Sequence, residues 1–225
     1  FRIVDTAGMR RRGAVESVLE RASVEGSLRA IRHSHVVLLL IDAQEGLTSQ
    51  DIRLGNLAIE QGRPVILVVN KWDLISAEQK SAVRSDVARR ADESLGAARG
   101  AALFHLSAID RSSVATKFGA LARSISEVHA RWSRTHQTSH LSQWLRDFAA
   151  RQPPPALTGG PAPKLQMMTQ SRTRPPTFMV FGTWETTAAY TRALTNRLRS
   201  DLDLPGVPVR VRFRGPTRSR PGHTR

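Results

Sequence analysis

Two runs, Val36 to Ile41 (VVLLLI) and Val65 to Val69 (VILVV), are apolar at every position, and the second stops abruptly at Asn70-Lys71-Trp72-Asp73. A strand with one wet face alternates apolar and polar residues, so unbroken runs belong to strands covered on both faces, the habit of parallel sheets. Phe1 to Asp5, Val36 to Ala43, Pro64 to Asn70 and Ala101 to Ser107 are all read as such strands. Helical patterns lie between them. Thr48-x-x-Asp51 and Ser76-x-x-Gln79 have capping-box spacing and predict two helix starts, while Gly62 and Gly96 follow helical stretches as C-terminal stops. Strand, helix, strand at this spacing predicts a parallel sheet with helices on its faces, whose ligands sit beyond the carboxyl ends of the strands. Asp5, Asn70 and Ser107 fall at those ends.

A long helix from about Ser112 to Arg134 leads into a second unit. His140 to Arg151 is helical in pattern and stops at Pro153-Pro154-Pro155; Lys164 to Ser171 and Thr177 to Gly182 read as strands, Thr187 to Arg199 as a helix, and Val207 to Phe213 as a half-exposed strand. The order is α-β-β-α-β. Gly215 to Arg225 is basic and rich in Pro and Gly, the composition of a disordered tail.

Charge separates the two halves. Residues 1–130 hold 18 Lys+Arg against 15 Asp+Glu, whereas residues 131–225 hold 16 against 4. A dense positive half suits a polyanion such as nucleic acid, because neutralising phosphates releases counterions. Only four of the 34 basic residues are lysine, which genomic bias toward arginine codons would also produce. No apolar run approaches the roughly 18 residues of a membrane span. With no cysteine there is neither a disulfide framework nor a thiolate metal site, and no export signal pattern opens the chain, so a cytoplasmic setting is expected.

The stretch that ends the second run can read a base. A carboxylate at Asp73 accepts two donors side by side, as guanine offers with N1–H and its 2-amino group and adenine does not. Asn70 can donate its amide to a ring nitrogen or carbonyl, and the aliphatic stem of Lys71 can lie over the base or ribose. Trp72 reads as a packing residue among these contacts. Taken alone, Asn-Lys-x-Asp is also what an ordinary polar turn looks like. Two further strand ends narrow the choice: Asp5-Thr6-Ala7-Gly8 sets a carboxylate three residues before a glycine, the spacing for a hydrated Mg²⁺ and a backbone N–H at a terminal phosphate, and Ser107-Ala108 can offer a main-chain N–H to the guanine carbonyl.

DTAG, NKWD and SA resemble the switch II and base-recognition loops of P-loop GTPases. DTAGMRRRG, SLRAIRHSHVVLLLIDAQEGLTSQD and VVNKWDL are similar to the second GTPase domain of the bacterial double-GTPase family Der, also called EngA, and RDFAARQPPP, SRTRPPTF and AYTRALTNRLR to the KH-like domain that follows it. The resemblance covers nearly the whole chain. It implies an α/β fold class: an incomplete P-loop GTPase-type parallel sheet with flanking helices over residues 1–135, then a small α+β KH-like domain (α-β-β-α-β) over 136–214, with the tail over 215–225. It implies a GTP hydrolase in the intact protein, acting in maturation of the large ribosomal subunit, with GTP/GDP and that subunit or its rRNA as partners, no membrane, and a monomeric state. Asp5 would hold Mg²⁺ through water, Thr6, Ala7, Gly8 and Met9 would line the γ-phosphate, and Asn70, Lys71, Trp72, Asp73, Ser107 and Ala108 would enclose the base. A thioether at Met9 cannot orient water as glutamine does in Ras-like enzymes; the family's hydrophobic residue there implies help from a monovalent cation such as K⁺. Arg172, Arg174, Arg210, Arg212 and Arg214, with Phe178 and Phe213, are candidates for a basic face with aromatic contacts to RNA, the alternative being buried Phe and merely exposed Arg. No two glycines stand three apart, so the GXXG loop of RNA-clamping KH domains is absent.

None of Lys71, Lys80, Lys117 and Lys164 follows a glycine, so the chain has no G-x-x-x-x-G-K-[ST] phosphate loop. It opens inside what resembles the third strand of the domain, and is therefore expected to be a fragment with an exposed, poorly ordered first strand, whose alternative role is an RNA or ribosome binder with an inert G-domain remnant. Base contacts alone supply a net of roughly 4 kcal/mol, which corresponds to a dissociation constant of about 1 mM or weaker. The expected calorimetric result is no GDP binding in the micromolar range and no useful GTP hydrolysis by this chain; micromolar affinity would contradict it.

Overall fold

The computed structural model describes residues 1–4, 28–96, 99–156, 162–182 and 187–215. The chain forms two compact units, Phe1–Arg131 with Pro205–Pro208, and Trp132–Leu204 with Val209–Arg225.

In the first unit a helical stretch over 28–33 (α1) precedes β1 (Val37–Asp42), α2 (Ser49–Glu60), β2 (Val65–Asn70), a single 3-10 turn (Trp72–Leu74), α3 (Lys80–Ser94), β3 (Leu103–His105) and α4 (Arg111–Trp132). The strands pair in parallel in the order β1-β2-β3. The central strand β2 carries one of the two unbroken runs, and Val65 to Val69 are all buried, as burial on both faces requires, whereas β1 at the edge of the described sheet leaves Leu38 and Leu40 exposed on one face, against the two-sided cover expected of its run. On one side Leu39, Ile41, Leu67 and Val69 join Ala58 and Ile59 of α2, Val87 and Ala91 of α3, and Leu95 in one core. Each aliphatic side chain buried there contributes about 1.5 to 3 kcal/mol.

Helix α2 is closed chemically at both ends. Thr48 Oγ1 accepts the Asp51 N–H at 3.2 Å and the Asp51 carboxylate accepts the Thr48 N–H at 3.0 Å, the reciprocal box expected from the spacing. At the other end Gly62 takes φ +75°, its N–H donates to Ile59 O at 2.8 Å, and the Arg63 N–H donates to Ala58 O at 2.9 Å. This pair of bonds satisfies the last carbonyls and needs the left-handed backbone that glycine adopts without strain.

Several expectations are corrected. Residues 1–4 form no strand: among the described residues nothing pairs with them, and Phe1, Ile3 and Val4 stay exposed. Asp5 lies outside the described residues. Ser76 does not open α3; its carbonyl accepts the Gln79 and Lys80 N–H groups in a preceding turn, and the helix starts at Lys80 without a side-chain cap. Gly96 is not among the left-handed glycines, and α3 ends at Ser94 with Leu95 following. The strand read over Ala101 to Ser107 is only Leu103–His105, because Ser107 and beyond turn to cap α4.

The second unit runs α5 (Thr138–Arg151), β4 (Leu165–Thr173), β5 (Pro176–Gly182), α6 (Ala188–Asp201) and β6 (Arg210–Arg214), the α-β-β-α-β order read from the sequence. β4 and β5 are antiparallel, and β5 and β6 parallel. Leu141, Leu145 and Phe148 recur at helical spacing on α5, as do Tyr190, Leu194 and Leu198 on α6, and all are buried. Ser142 ties α5 to β4, its hydroxyl bonded to both the N–H and the carbonyl of Met168 at 3.2 Å. The last strand begins at Arg210 rather than Val207, since Val207 to Val209 are buried but unpaired in either sheet. Among the described residues no helix is long and apolar enough to cross a membrane.

Replacing Thr48 by alanine removes the acceptor for the Asp51 N–H and is expected to cost about 1 kcal/mol of stability, with Thr48→Ser near neutral. Urea unfolding of the two variants checks this; equal midpoints for both would show that the cap contributes nothing.

Candidate functional site

The register of the first sheet brings the strand ends level. Asp42, the last residue of β1, stands opposite Asn70, the last of β2, and the Ala43 N–H donates to Asn70 O at 2.9 Å. On the other side Val69 O accepts the Leu106 N–H at 2.9 Å and Leu106 O accepts the Trp72 N–H at 3.2 Å. Residues 42–44, 70–73 and 106–108 therefore form one continuous rim at the carboxyl edge of the sheet.

Side chains lock this rim. Asn70 Oδ1 accepts the Ala108 N–H at 2.9 Å, a bond across 38 residues that joins the end of β2 to the loop after β3. Lys71 is left-handed, with φ 60° and ψ 36°, and its Nζ lies 2.6 Å from Asp42 Oδ2. Asp42 is buried, and its Oδ1 accepts the Gln44 N–H at 2.9 Å. A non-glycine residue held left-handed carries about 1 kcal/mol or more of strain, and such strain persists where surrounding bonds over-determine the backbone. Here the Lys71 carbonyl accepts the Leu74 N–H and Trp72 packs against the core, with its ring 4.3 Å from that of His105. Burial, together with the charges of Arg84 and Lys117, pushes the His105 imidazole below its ordinary pKa, so that it packs against the indole as a neutral ring.

The Asp73 carboxylate is exposed and has no hydrogen bond or ion pair among the described residues. The last loop is fixed from α4: Asp110 Oδ1 accepts the Ser112 N–H at 2.9 Å and the Ser112 hydroxyl at 2.8 Å, which holds the Asp110 carboxyl below the usual range. Ser107 is buried, its N–H donates to Ser113 Oγ at 3.1 Å, and its own hydroxyl has no partner among the described residues. Both main-chain N–H groups of Ser107 and Ala108 are thus donated within the chain, where the sequence offers them to a ring carbonyl. An external acceptor would reach the Ala108 N–H only by sharing or exchanging its bond to Asn70.

Asn70, Lys71, Trp72, Asp73, Ser107 and Ala108 are accordingly brought together. Asp5, Thr6, Ala7, Gly8 and Met9 lie outside the described residues, and with them the expected Mg²⁺ contact; among the described residues no cluster of three His, Asp or Glu is placed to hold a metal. Asp42 is the residue that sequence reasoning missed. Its signal was available, since both apolar runs, VLLLID and VILVVN, end in a polar residue that parallel pairing brings side by side.

In the second unit Arg210, Arg212 and Arg214 alternate along β6 opposite Thr177, Met179 and Phe181, and Arg172 of β4 stands opposite Thr177. Register puts these four arginines on one sheet face. The other face carries Met168, Phe178 and Val180, all fully buried, so Phe178 is a core residue and not an RNA contact. Arg174 does not join the group: its Nε donates to Ser133 Oγ at 2.9 Å and its guanidinium lies 5.5 Å from the centre of the Trp132 ring.

Residues 24–150 match the elongation factor Tu GTP binding domain, and residues 136–214 match the KH-domain-like region at the C-terminus of EngA bacterial GTPase enzymes. GTPase Der of Bradyrhizobium sp. (strain ORS 278) is 39% identical over 218 residues, covering 95% of this chain and 46% of that protein. GTPase Der of Jannaschia sp. (strain CCS1) is 40% identical over 216 residues, covering 95% and 44% respectively. The chain thus spans less than half the length of these relatives. A crystal structure of Aquifex aeolicus Era bound to GDP·AlF4⁻ is 18% identical with a TM-score of 0.41, covering 91% of this chain and 73% of that one. The parallel sheet with its helical layers, followed by a small second sheet, agrees with the α/β class expected. Matched over more than half of its length, the chain belongs to the family of elongation factor Tu-type GTP binding domains, and over nearly all of its length it is similar to the GTPase Der.

Proposed function

We propose that this chain is the base-reading part of a Der-type GTPase together with its KH-like domain, residues 1–135 and 136–214, followed by a basic tail over 215–225. In this reading Asn70, Lys71 and Asp73 read guanine, Trp72 packs beneath them, and Ser107 and Ala108 close over the ring. The observation that carries it is the Asn70–Ala108 bond, which makes the two loops one rim beside the exposed carboxylate of Asp73. GTP hydrolysis belongs to the intact protein, with Mg²⁺ beside Asp5, a K⁺ ion assisting, and Thr6, Ala7, Gly8 and Met9 at the γ-phosphate. The large ribosomal subunit or its rRNA is the partner, in the cytoplasm, with the protein acting as a monomer and no membrane involved.

The arginine face supports the RNA part of this reading. Arg172, Arg212 and Arg214 are exposed, and guanidinium groups spaced at every second residue of a strand can follow a phosphate chain. Arg174, held by Ser133 and Trp132, is at most a peripheral contact.

Two measurements test the proposal. In a titration of the labelled chain with nucleoside monophosphates, amide resonances of Asn70, Lys71, Asp73 and Ala108 are expected to shift with GMP and not with AMP. IMP, which lacks the 2-amino donor, is expected to bind at least about tenfold more weakly than GMP, the loss of one hydrogen bond to a charged acceptor. Equal response to AMP, or a GMP response unaffected by Asp73→Ala, contradicts base reading. For the second unit, replacing Arg212 and Arg214 by alanine is expected to weaken RNA binding for all sequences and to lower the slope of log affinity against log salt by about 1 for each phosphate that is no longer neutralised. An unchanged slope removes this face from the interface.

A further inference from the structure

The Lys71–Asp42 pair joins two strand tips that the base-reading assignment does not connect. Its geometry says what the lysine is for. The Lys71 main chain closes β2, while its ammonium lies 2.6 Å from a carboxylate that closes the neighbouring strand. Adjacent strands are about 4.8 Å apart, so a side chain anchored at both points leans across the two tips while staying half exposed. Its four methylenes are thereby restrained between the end of β2 and Asp42. A free lysine would sample many rotamers and hold its stem there only rarely.

We infer that Asp42 is a positioning residue: it fixes the stem of Lys71 as the shelf on which a purine ring lies. The deduction rests on the guanine reading proposed above and adds a residue to it. Asp42 is suited to the part because its carboxylate is itself immobile. It is buried, with Oδ1 held by the Gln44 N–H and Oδ2 turned to Lys71, while the lysine remains half exposed and open to a ligand. The left-handed backbone at Lys71 lies at the same point, where the chain leaves β2 and the side chain pairs with the end of β1. A buried carboxylate without its cation would be costly, so each partner holds the other in place.

The test compares the whole chain with Asp42→Asn, Lys71→Met and the double variant. The asparagine keeps an oxygen for the Gln44 N–H and puts an uncharged NH2 group in place of the oxygen that faces Lys71. Ordering one long side chain is worth enough that Asp42→Asn is expected to weaken GMP binding about three- to tenfold. The double variant is expected to bind no more weakly than Lys71→Met alone, because Asp42 acts through the lysine. Methylene resonances of Lys71 in the ligand-free chain, ordered in the wild type, are expected to become mobile in Asp42→Asn. GMP affinity unchanged by Asp42→Asn, a loss that adds in full to that of Lys71→Met, or Lys71 methylenes equally mobile in both proteins overturns the inference. Absence of any GMP response in the wild type instead defeats the guanine reading, and ordered methylenes that Asp42→Asn releases would then leave the lysine shelf standing without its purine.

Discussion

The pairing of β1 with β2, Val37 opposite Val65 through to Asp42 opposite Asn70, is the constraint on which the site depends. Parallel pairing keeps residues that close successive strands at one level, and a slip of one residue would turn every side chain of β1 to the other face. The one-sided burial of β1 opposes that slip, because Leu39 and Ile41 would leave the core that α2 and α3 complete and the exposed Leu38 and Leu40 would take their side. The same register that packs Leu67 and Val69 also sets a carboxylate beside an ammonium and an amide beside a main-chain N–H. Core and site are therefore specified by one set of hydrogen bonds.

Rigidity at the rim follows from local chemistry. Asp110 holds the start of α4, Ser113 holds the N–H of Ser107, and Asn70 holds that of Ala108. Each bond uses a short polar side chain in or beside a loop, Asn70 at the end of β2, Asp110 before α4 and Ser113 in its first turn, where such residues satisfy backbone groups left over by strands and helices. Asp73 stands apart from this network, exposed and unpartnered among the described residues, which suits an acceptor whose partner comes from outside.

Much of this was legible because it rests on local or periodic signals. The unbroken apolar runs gave strands and their parallel sense, Thr48 and Asp51 gave a helix start, and Gly62 its end. The second unit followed from the helical pattern of His140 to Arg151 and the alternation over Val207 to Phe213, although the strand itself begins only at Arg210. What failed depends on long-range partners. Phe1 to Val4 has the composition of a strand, yet a strand exists only where a neighbour accepts its bonds. Ser76 has the spacing of a cap, but its carbonyl closes a turn first. Asp42 was overlooked because its importance lies wholly in a residue on the next strand, and Arg174 was grouped with the other arginines although its guanidinium is held by Ser133 and Trp132.

The central claim is that separate strand tips converge on one guanine ring. Photocrosslinking the chain with an 8-azidoguanosine nucleotide, followed by peptide mapping, tests it most directly. The account predicts adducts confined to residues 70–74 and 106–109 and suppressed by excess GMP but not by AMP; adducts spread over other elements, or equally suppressed by AMP, would contradict it.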